Sequence, residues 1–291
     1  MLSLRDKRRR ALASGAVGVL ALLFALASCS KVKATLPDLS GMGAITVVVR
    51  EEGSGTRDEF AQLAGTAQAG AKRAALSTDQ VIEAVAADEN AIGYVAFSAL
   101  DGTNGADVAL LSVEGVDCSA KTIASGSYPL ERQYILAYSG EVSELVADFI
   151  SYTKTAGQAV ASRLCTPVHN AARFLSNGQE GSITIAGSSS MQTLMAALVE
   201  DYGTYNPHAV IVLEVTDSTA GLNAAMRGQR DLAMSSRSLK DYEAELLTAA
   251  PIAADGIAVI VNAKNPLRAI SLEQLRTIYD GKVTRWGSLG S

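Results

Sequence analysis

Residues 45–60 of the chain are ITVVVREEGSGTRDEF, and this stretch decides the fold class. The apolar run 45–49 is typical of a buried strand, and the residues from Asp58 onward predict a helix. Between them, glycines allow the backbone to approach a ligand, and the amides at a helix start favour a negative one. The hydroxyls of Ser54 and Thr56 and the guanidinium of Arg50 add donors. The stretch therefore predicts a strand, a loop that binds a compact oxyanion, and a helix.

Strand-like and helix-like segments alternate after this unit, which predicts an α/β protein. The predicted strands are 45–50, 91–98, 108–113, 133–138, 183–186, 210–215, 231–234 and 256–261. The predicted helices are 58–69, 78–87, 142–155, 191–202, 222–227 and 272–279. Residues 166–181 are predicted to form a loop at the surface.

Three further strand ends carry small hydroxyl residues. They are 186–190 (AGSSS), 216–221 (TDSTAG) and 231–237 (DLAMSSR). Each of them alone is explained by ordinary helix capping. Four such loops in one chain favour a common ligand, because ligands of open α/β sheets bind beyond the carboxyl ends of strands.

The first 28 residues predict a targeting segment. A basic start, which includes Arg5 and Lys7, precedes the apolar run 11–27. The run ends in Leu26-Ala27-Ser28-Cys29, which resembles a bacterial lipobox, and that resemblance implies that Cys29 is lipidated. A transmembrane anchor or a plain signal peptide remains the alternative. Residues 29–44 predict a flexible tether.

Composition argues against several classes of protein. The net charge of -5 makes a nucleic-acid partner improbable. Two histidines are too few for the Asp and His metal cluster of an alkaline-phosphatase-like hydrolase, so neither an enzyme, a metal nor a cofactor is expected. Cys118 and Cys165 are expected to be free thiols, because they fall in different predicted lobes.

The chain resembles the substrate-binding proteins of bacterial phosphate ABC transporters, which have a two-lobed periplasmic-binding-protein fold of type II. The resemblance rests on a combination of segments rather than on any single one. Those segments are 50–60 (REEGSGTRDEF), 90–100 (NAIGYVAFSAL), 125–136 (SGSYPLERQYIL), 186–190 (AGSSS), 216–221 (TDSTAG), 231–239 (DLAMSSRSL), 255–266 (DGIAVIVNAKNP) and 275–286 (LRTIYDGKVTRW).

The order of these segments differs from the family's usual order, in which the AGSSS-type turn comes first. This difference implies a circular permutation, with the usual ends joined through 166–181; a fragment or a misassembled reading frame is the alternative. One lobe is then discontinuous, 45–127 plus 255–291, and the other is continuous, 128–254. Two crossover segments, near 128–133 and 253–256, form the hinge between the lobes.

The resemblance also implies the residues that bind phosphate. They are Arg50, Ser54, Gly55, Thr56, Ser189, Ser190, Ser218, Thr219 and Ser236. Further possible ligands are Glu52, Arg57, Ser188, Ser235 and Arg237. Ser236 stands where other members carry an aspartate that accepts a proton from the ligand, so discrimination against sulfate is expected to be weaker.

The implied function is that of a monomeric receptor, lipid-anchored at the extracytoplasmic face of the cell membrane, which delivers inorganic phosphate to the permease of an ABC transporter. One alternative is a receptor of the same fold for sulfate, molybdate or tungstate. Another is a signalling or adhesion lipoprotein that keeps the fold and does not transport.

Overall fold

Strands and helices alternate along the computed structural model of the chain, which describes residues 36–70, 72–100 and 107–289. The strands are β1 Thr46–Arg50, β2 Arg73–Ala75, β3 Ala91–Ala96, β4 Val108–Val113, β5 Glu131–Tyr138, β6 Gly181–Ser188, β7 Ala209–Thr216, β8 Leu232–Ser235, β9 Thr248–Asn262 and β10 Ala269–Ile270. The helices are α1 Gly55–Ala64, α2 Thr78–Ala86, α3 Ala120–Ala124, α4 Glu144–Lys154, α5 Gln158–Leu164, α6 Gln192–Tyr205, α7 Ser218–Met226, α8 Asp241–Ala244 and α9 Leu272–Tyr279. The α/β class predicted from the sequence is confirmed.

The strands form one sheet in the order β2-β1-β3-β9-β5-β8-β6-β7, and β4 joins it by pairing with β9. The strands β2, β1 and β3 are parallel to one another, as are β7, β6 and β8. Strand β9 runs antiparallel to β5 over its first part and to β3 and β4 over its second part. The two ends of the sheet therefore repeat one arrangement, three parallel strands followed by antiparallel ones.

Two large apolar cores lie along this sheet. The first core draws its side chains from 39–130 and 254–289, and the second core from 134–253. The chain passes between them at 130–134, in β5, and at 253–254, in β9. Both passages lie next to each other, because Glu131 pairs with Gly256 and Tyr134 with Ala253.

Strand β9 is much longer than the predicted strand 256–261. The sequence TAAPIAADG before it resembles a loop, since proline cannot donate to a sheet. The structure places Pro251 opposite Ile135, beside a register shift that leaves Ile252 without a partner in β5. A bulge of this kind tolerates proline in a strand, and β9 therefore continues through it.

The first helix also differs from its predicted bounds of 58–69. It begins at Gly55, directly after Ser54, and it ends at Gly65, whose φ of 65° is left-handed. A glycine in that conformation is a common way to end a helix. The early start brings the helix N-terminus into the loop that follows β1.

The two ends of the described chain lie side by side. Ala44 and Arg285 form an antiparallel bridge, and the amide of Ile45 donates to the carbonyl of Thr284 over 2.8 Å. The indole of Trp286, which is fully buried, donates to the carbonyl of Asn90 over 3.0 Å. The segment before β1 is thus attached to the segment after α9.

The segment 166–180 runs between α5 and β6 without regular structure and is largely exposed, as predicted. Two buried side chains attach it to the second core. The carbonyl oxygen of Gln158 accepts from the amides of Val168 and His169, and the carboxylate of Asp148 accepts from the amide of Asn177. The long connection therefore has a defined path.

Several predictions concern residues that the structure leaves outside its described ranges. These are the signal peptide 1–28, Cys29 and the first part of the tether. Within the part of the chain that is described, no helix combines the length and the apolar character that crossing a membrane requires. The thiols of Cys118 and Cys165 are both free, as predicted, and burial raises the pKa of each to about 12.

Candidate functional site

Loops from both sides of the sheet meet at one place, where the carboxyl ends of β1, β6, β7 and β8 come together. The amide of Thr219 donates to the carbonyl of Gly53 over 3.2 Å, so the loop after β7 contacts the loop after β1. A side chain at Gly55 would collide with the hydroxyls of Ser218 and Ser236. The predicted convergence of the four loops is present in the structure.

Arg50, at the end of β1, is buried with 2% of its surface exposed. Its Nε and Nη2 donate to the two carboxylate oxygens of Glu51 over 2.7 and 2.6 Å. The same guanidinium donates from Nη1 to the hydroxyl of Thr78 and from Nη2 to that of Ser189, over 3.2 and 3.0 Å. Since Ser189 follows β6, Arg50 links the first core to the second.

A second contact between the cores joins two hydroxyls. Thr56 Oγ1, in the first turn of α1, lies 2.8 Å from Ser190 Oγ, and either atom can donate. Thr56 also accepts from Nη1 of Arg132 over 2.8 Å. Thr56 and Ser190 are both among the residues predicted to bind the anion, and the structure brings them into direct contact.

A third group of hydroxyls lies entirely on the side of the second core. Ser188 Oγ donates to Ser236 Oγ over 2.8 Å, and the amide of Ser236 donates to Ser218 Oγ over 3.2 Å. All three side chains are buried. Ser236 therefore lies within the cluster, at the position where the family resemblance implies an acid.

Helix starts surround this cluster. The helices α1 and α7 begin at Gly55 and Ser218, and a turn of 3-10 helix at Ser189–Met191 leads into α6. The first amides of a helix have no partner within it, and the helix dipole makes that end positive. The site can thus offer hydroxyls from three directions, although the amides of Thr219 and Ala220 in α7 already donate to Gly53 and Asp217.

Other predicted candidates lie outside the cluster. The side chain of Glu52 is 93% exposed and lies 4.0 Å from Arg57, so it is not placed to accept from a ligand in the cleft. Arg57 itself donates to the carbonyl of Arg50 over 3.3 Å. Glu51, which the sequence did not single out, is the residue that orients Arg50. Glu52, which the sequence predicted as a possible ligand, is therefore directed to solvent.

Arg237 and Ser235 lie at the rim of the site. Arg237 forms a two-pronged pair with buried Glu243, with distances of 2.7 and 2.8 Å, and its Nε lies 3.4 Å from Asp58. Burial opposes the charge of Arg237, but Glu243 keeps its pKa above the ordinary value. Ser235 donates to the carbonyl of Arg237 over 2.9 Å. Arg237 is therefore held by acids, one of which belongs to α1, and its Nη2 also reaches the hydroxyl of Thr219 over 3.4 Å.

Sequence reasoning did not single out a group of buried polar side chains where the chain passes between the cores. Arg132 donates to Asp255 over 3.1 Å, and the hydroxyl of Tyr134 donates to the same carboxylate oxygen over 2.6 Å. The other oxygen of Asp255 accepts from the amide of Ser98 over 2.9 Å. The sequence did carry a signal for this pair, since Arg132 and Asp255 each lie inside an otherwise apolar strand. Charged residues in such strands need a partner when they are buried.

This buried pair is electrically balanced. Burial disfavours the charge of Arg132, but Tyr134 and Asp255 keep its pKa above the ordinary value. Arg50 is paired with the carboxylate of Glu51. An anion that enters the site would therefore be held chiefly by directed hydrogen bonds, and not by a large excess of positive charge. Within the described ranges, no cluster of His, Cys, Asp or Glu is arranged to hold a metal ion.

A polar cavity of about 140 Å³ adjoins the Arg50 side of the cluster. It lies between the two cores, and its lining includes Thr78 and Ser98 from the first side and Ser189 and Ser190 from the second. The two hydroxyls that accept from Arg50, those of Thr78 and Ser189, line this cavity. Two of the predicted anion-binding residues, Ser189 and Ser190, therefore border this cavity.

Comparison with known proteins gives consistent results. The family model described as "PBP superfamily domain" matches residues 33–156 and 174–291. The chain is 33% identical to phosphate-binding protein PstS 2 of Streptococcus pneumoniae over 279 residues, which are 91% of this chain and 94% of that protein. It is 34% identical to phosphate-binding protein PstS 2 of Streptococcus agalactiae, over 97% of this chain and 99% of the relative.

A solved structure agrees with these relatives. The crystal structure of a phosphate ABC transporter, phosphate-binding protein from Streptococcus pneumoniae superposes with a TM-score of 0.70 at 33% identity. The superposition covers 85% of this chain and all of that one. The fold expected from the sequence is therefore that of a solved phosphate-binding protein.

Proposed function

The chain belongs to the PBP superfamily, and we propose that it is an extracytoplasmic receptor that binds inorganic phosphate and delivers it to the permease of an ABC transporter. The observation that carries this proposal is the meeting of Arg50 with Ser189 and of Thr56 with Ser190 across the two cores. The names of the relatives and of the superposed structure give phosphate as the anion.

The proposed site combines one guanidinium, several hydroxyls and the amides of helix starts. Arg50 supplies the charge, Ser54, Gly55 and Thr56 supply donors from one side, and Ser189, Ser190, Ser218, Thr219 and Ser236 supply donors from the other. Charge-assisted hydrogen bonds in a buried site are the strong ones. The site binds its ligand and performs no chemistry on it.

Selectivity is the point at which this chain is proposed to differ from other members. An acid at the position of Ser236 would repel sulfate and would accept a hydrogen bond from protonated phosphate. The hydroxyl of Ser236 does not repel a dianion. A receptor for sulfate, molybdate or tungstate is therefore the second candidate, and the serine is the observation that favours it.

The proposed motion is closure of two lobes, 45–127 plus 255–291 and 128–254, about the crossovers in β5 and β9. The separation into two cores supports this division. The pairing of 43–45 with 284–286 supports a circular permutation, since the ends that a permuted chain would have opened lie together. The alignment along nearly the whole of both chains supports a natural order of segments rather than a misassembled one.

The proposed location is the outer face of the cell membrane, with Cys29 as the lipid-modified residue and residues 29–44 as the tether of a monomer. The lipobox-like Leu26-Ala27-Ser28-Cys29 supports this part of the proposal. A signalling or adhesion lipoprotein of the same fold remains the alternative from another class. Loss of phosphate uptake in cells that lack the protein would favour transport.

Titration calorimetry with phosphate, sulfate, molybdate and tungstate tests the binding proposal. We expect phosphate to bind with the greatest affinity, and we expect an Arg276→Ala variant to bind equally well, because Arg276 is an exposed residue of α9. Tighter binding of another oxyanion would replace phosphate as the ligand. If none of the four anions bound, the receptor proposal would be abandoned.

A further inference from the structure

Arg132 is a buried side chain that contacts both sides of the proposed site. It lies in β5 where the chain passes between the cores, and its side chain has no exposed surface. Its Nη1 donates to the hydroxyl of Thr56 and, over 3.1 Å, to the carbonyl of Ser236. Its Nη2 donates to Asp255 and to Tyr134. Arg132 therefore contacts one ligand-binding loop on each side of the cleft.

This contact fixes the direction of the hydrogen bonds that Thr56 can make. A guanidinium has only donors, whereas a hydroxyl has one hydrogen and two lone pairs. Since Arg132 occupies a lone pair of Thr56 Oγ1, the hydrogen of Thr56 must point elsewhere. The remaining partners are Ser190 Oγ, 2.8 Å away, and any anion that enters between the two.

Two more hydroxyls of the cluster are arranged in the same way. Ser218 Oγ accepts from the amide of Ser236, and Ser236 Oγ accepts from Ser188 Oγ. Each of these serines, like Thr56, already accepts one hydrogen bond from the protein and keeps its own hydrogen to donate. The acceptor capacity that a protonated ligand needs is thus partly used up before the ligand arrives.

The carboxylates around the cluster are also occupied. Glu51 accepts from Arg50, and Asp255 accepts from Arg132, Tyr134 and Ser98. Asp217, next to the loop at Gly53, accepts from the amide of Ala220 over 2.8 Å, and Glu59 accepts from Ser238. Each of these four acids therefore already has a donor of its own.

We propose that Arg132 is a positioning residue that directs the hydroxyl of Thr56 to donate, and that the receptor consequently selects the doubly charged form of phosphate over the singly charged form. This proposal rests on the proposed function. Each hydrogen on the ligand requires an acceptor, and one that finds none costs binding free energy. The singly charged ion carries two hydrogens and the doubly charged ion one, so the latter matches a cluster that donates.

The pH dependence of binding is the direct measurement. The charged groups in and around the site are the arginines 50, 57, 132 and 237, Lys240 and the acids 51, 58, 59, 79, 131, 217, 243 and 255. The pKa of Glu131 is raised by burial and by Glu59. The second ionisation of phosphate falls near neutral pH, whereas sulfate stays doubly charged throughout this range.

We expect the affinity of the wild-type protein for phosphate to rise roughly tenfold between about pH 6 and about pH 8, in step with the doubly charged fraction. We expect the affinity for sulfate, measured on the same protein, to stay constant. A Glu131→Gln variant should keep the phosphate profile, because the group that titrates is then the ligand. A phosphate affinity that is flat or falls with pH, or a profile that disappears in Glu131→Gln, would overturn the proposal.

Variants at Arg132 identify the residue responsible. Arg132→Lys should retain the rise with pH, because an ammonium also only donates. The double variant Arg132→Met with Asp255→Asn removes both charges of the buried pair and the donor that reaches Thr56, so neither charge is left uncompensated. In that variant the rise in phosphate affinity between about pH 6 and about pH 8 should shrink to less than threefold. The reason is that the lone pair of Thr56 that Arg132 occupied can then accept from the ligand.

The outcomes separate this proposal from the proposed function. A full tenfold rise in a folded double variant would overturn the role of Arg132. If the double variant does not fold, the wild-type profile and Arg132→Lys decide: a flat profile in either one counts against the proposal. A protein that binds phosphate without pH dependence remains a receptor and refutes only this inference. A protein that binds no oxyanion at any pH refutes the proposed function itself.

Discussion

The hydroxyl of Thr56 lies 2.8 Å from the hydroxyl of Ser190, although 134 positions separate the two residues in the chain. One belongs to the helix that follows β1, and the other to the turn that follows β6. The contact therefore joins the two halves of the proposed site directly. A ligand that enters there touches both sides of the cleft at once, and several substitutions should separate binding from folding.

Arg50→Ala tests the main charged contact. The substitution leaves Glu51 without its buried partner and removes the guanidinium that reaches Ser189. We expect a loss of about 2–5 kcal/mol in phosphate binding, the range for truncating one partner of a buried charge pair. Titration calorimetry measures it, with Arg276→Ala as the surface control. Phosphate affinity equal to that of the wild type would move the site away from Arg50.

Ser236→Asp tests selectivity. A carboxylate at this position would repel sulfate and accept a hydrogen from phosphate, so the ratio of phosphate to sulfate affinity should increase by at least about tenfold. Competition of sulfate against phosphate measures the ratio. A wild-type protein that already ignores a large excess of sulfate would show that another group provides the discrimination.

Gly55→Ala tests how closely the loops approach. An added methyl group would overlap the hydroxyls of Ser218 and Ser236, so the cleft could not close as it does here. We expect phosphate affinity to fall by more than about tenfold, as two directed hydrogen bonds are displaced. Calorimetry measures the affinity, and thermal unfolding shows whether the fold survives.

Gly203→Ala is the matched control for that substitution. Gly203 lies in α6, and nothing within 4 Å would meet its added methyl group. Replacing a helical glycine by alanine is expected to stabilise the protein by about 0.5–1 kcal/mol without affecting the ligand. Equal losses of affinity in both variants would mean that the effect of Gly55→Ala is not local.

Cys29→Ser tests the membrane anchor. The lipobox-like sequence predicts that the wild-type protein fractionates with membranes and that the serine variant is released, because serine offers no thiol for lipidation. Fractionation followed by immunoblotting measures this, and a Cys118→Ser variant serves as the control. Retention of the Cys29→Ser protein in the membrane would indicate an uncleaved apolar segment.

The parts of the site that sequence predicted share a local signature. Arg50, Ser54 and Thr56 follow an apolar run and precede a helix, and this pattern is visible within a dozen residues. The same pattern identified Ser189 and Ser218. Local chemistry was sufficient in these cases, because a strand that runs into a helix start creates the donors by itself.

The features of the fold and of the site that the sequence did not predict depend on contacts between residues that are distant in the chain. Arg132 and Asp255 are 123 positions apart, and neither has a neighbouring residue that reveals its partner. The length of β9 was missed because Pro251 suggests a loop until the bulge opposite β5 is known. The choice of Glu51 over Glu52 depends on which side of the loop faces Arg50. Contacts formed only in the folded chain decide these points.

Strand β9 is shared by the two halves of the molecule, and this has a consequence for how the protein melts. Its first residues are bonded to β5, and its last residues to β3 and β4. Neither core can lose its part of β9 without loosening the other core. Movement of the loops between the two cores leaves β9 intact. We therefore expect the molecule to unfold, on heating, in a single cooperative step.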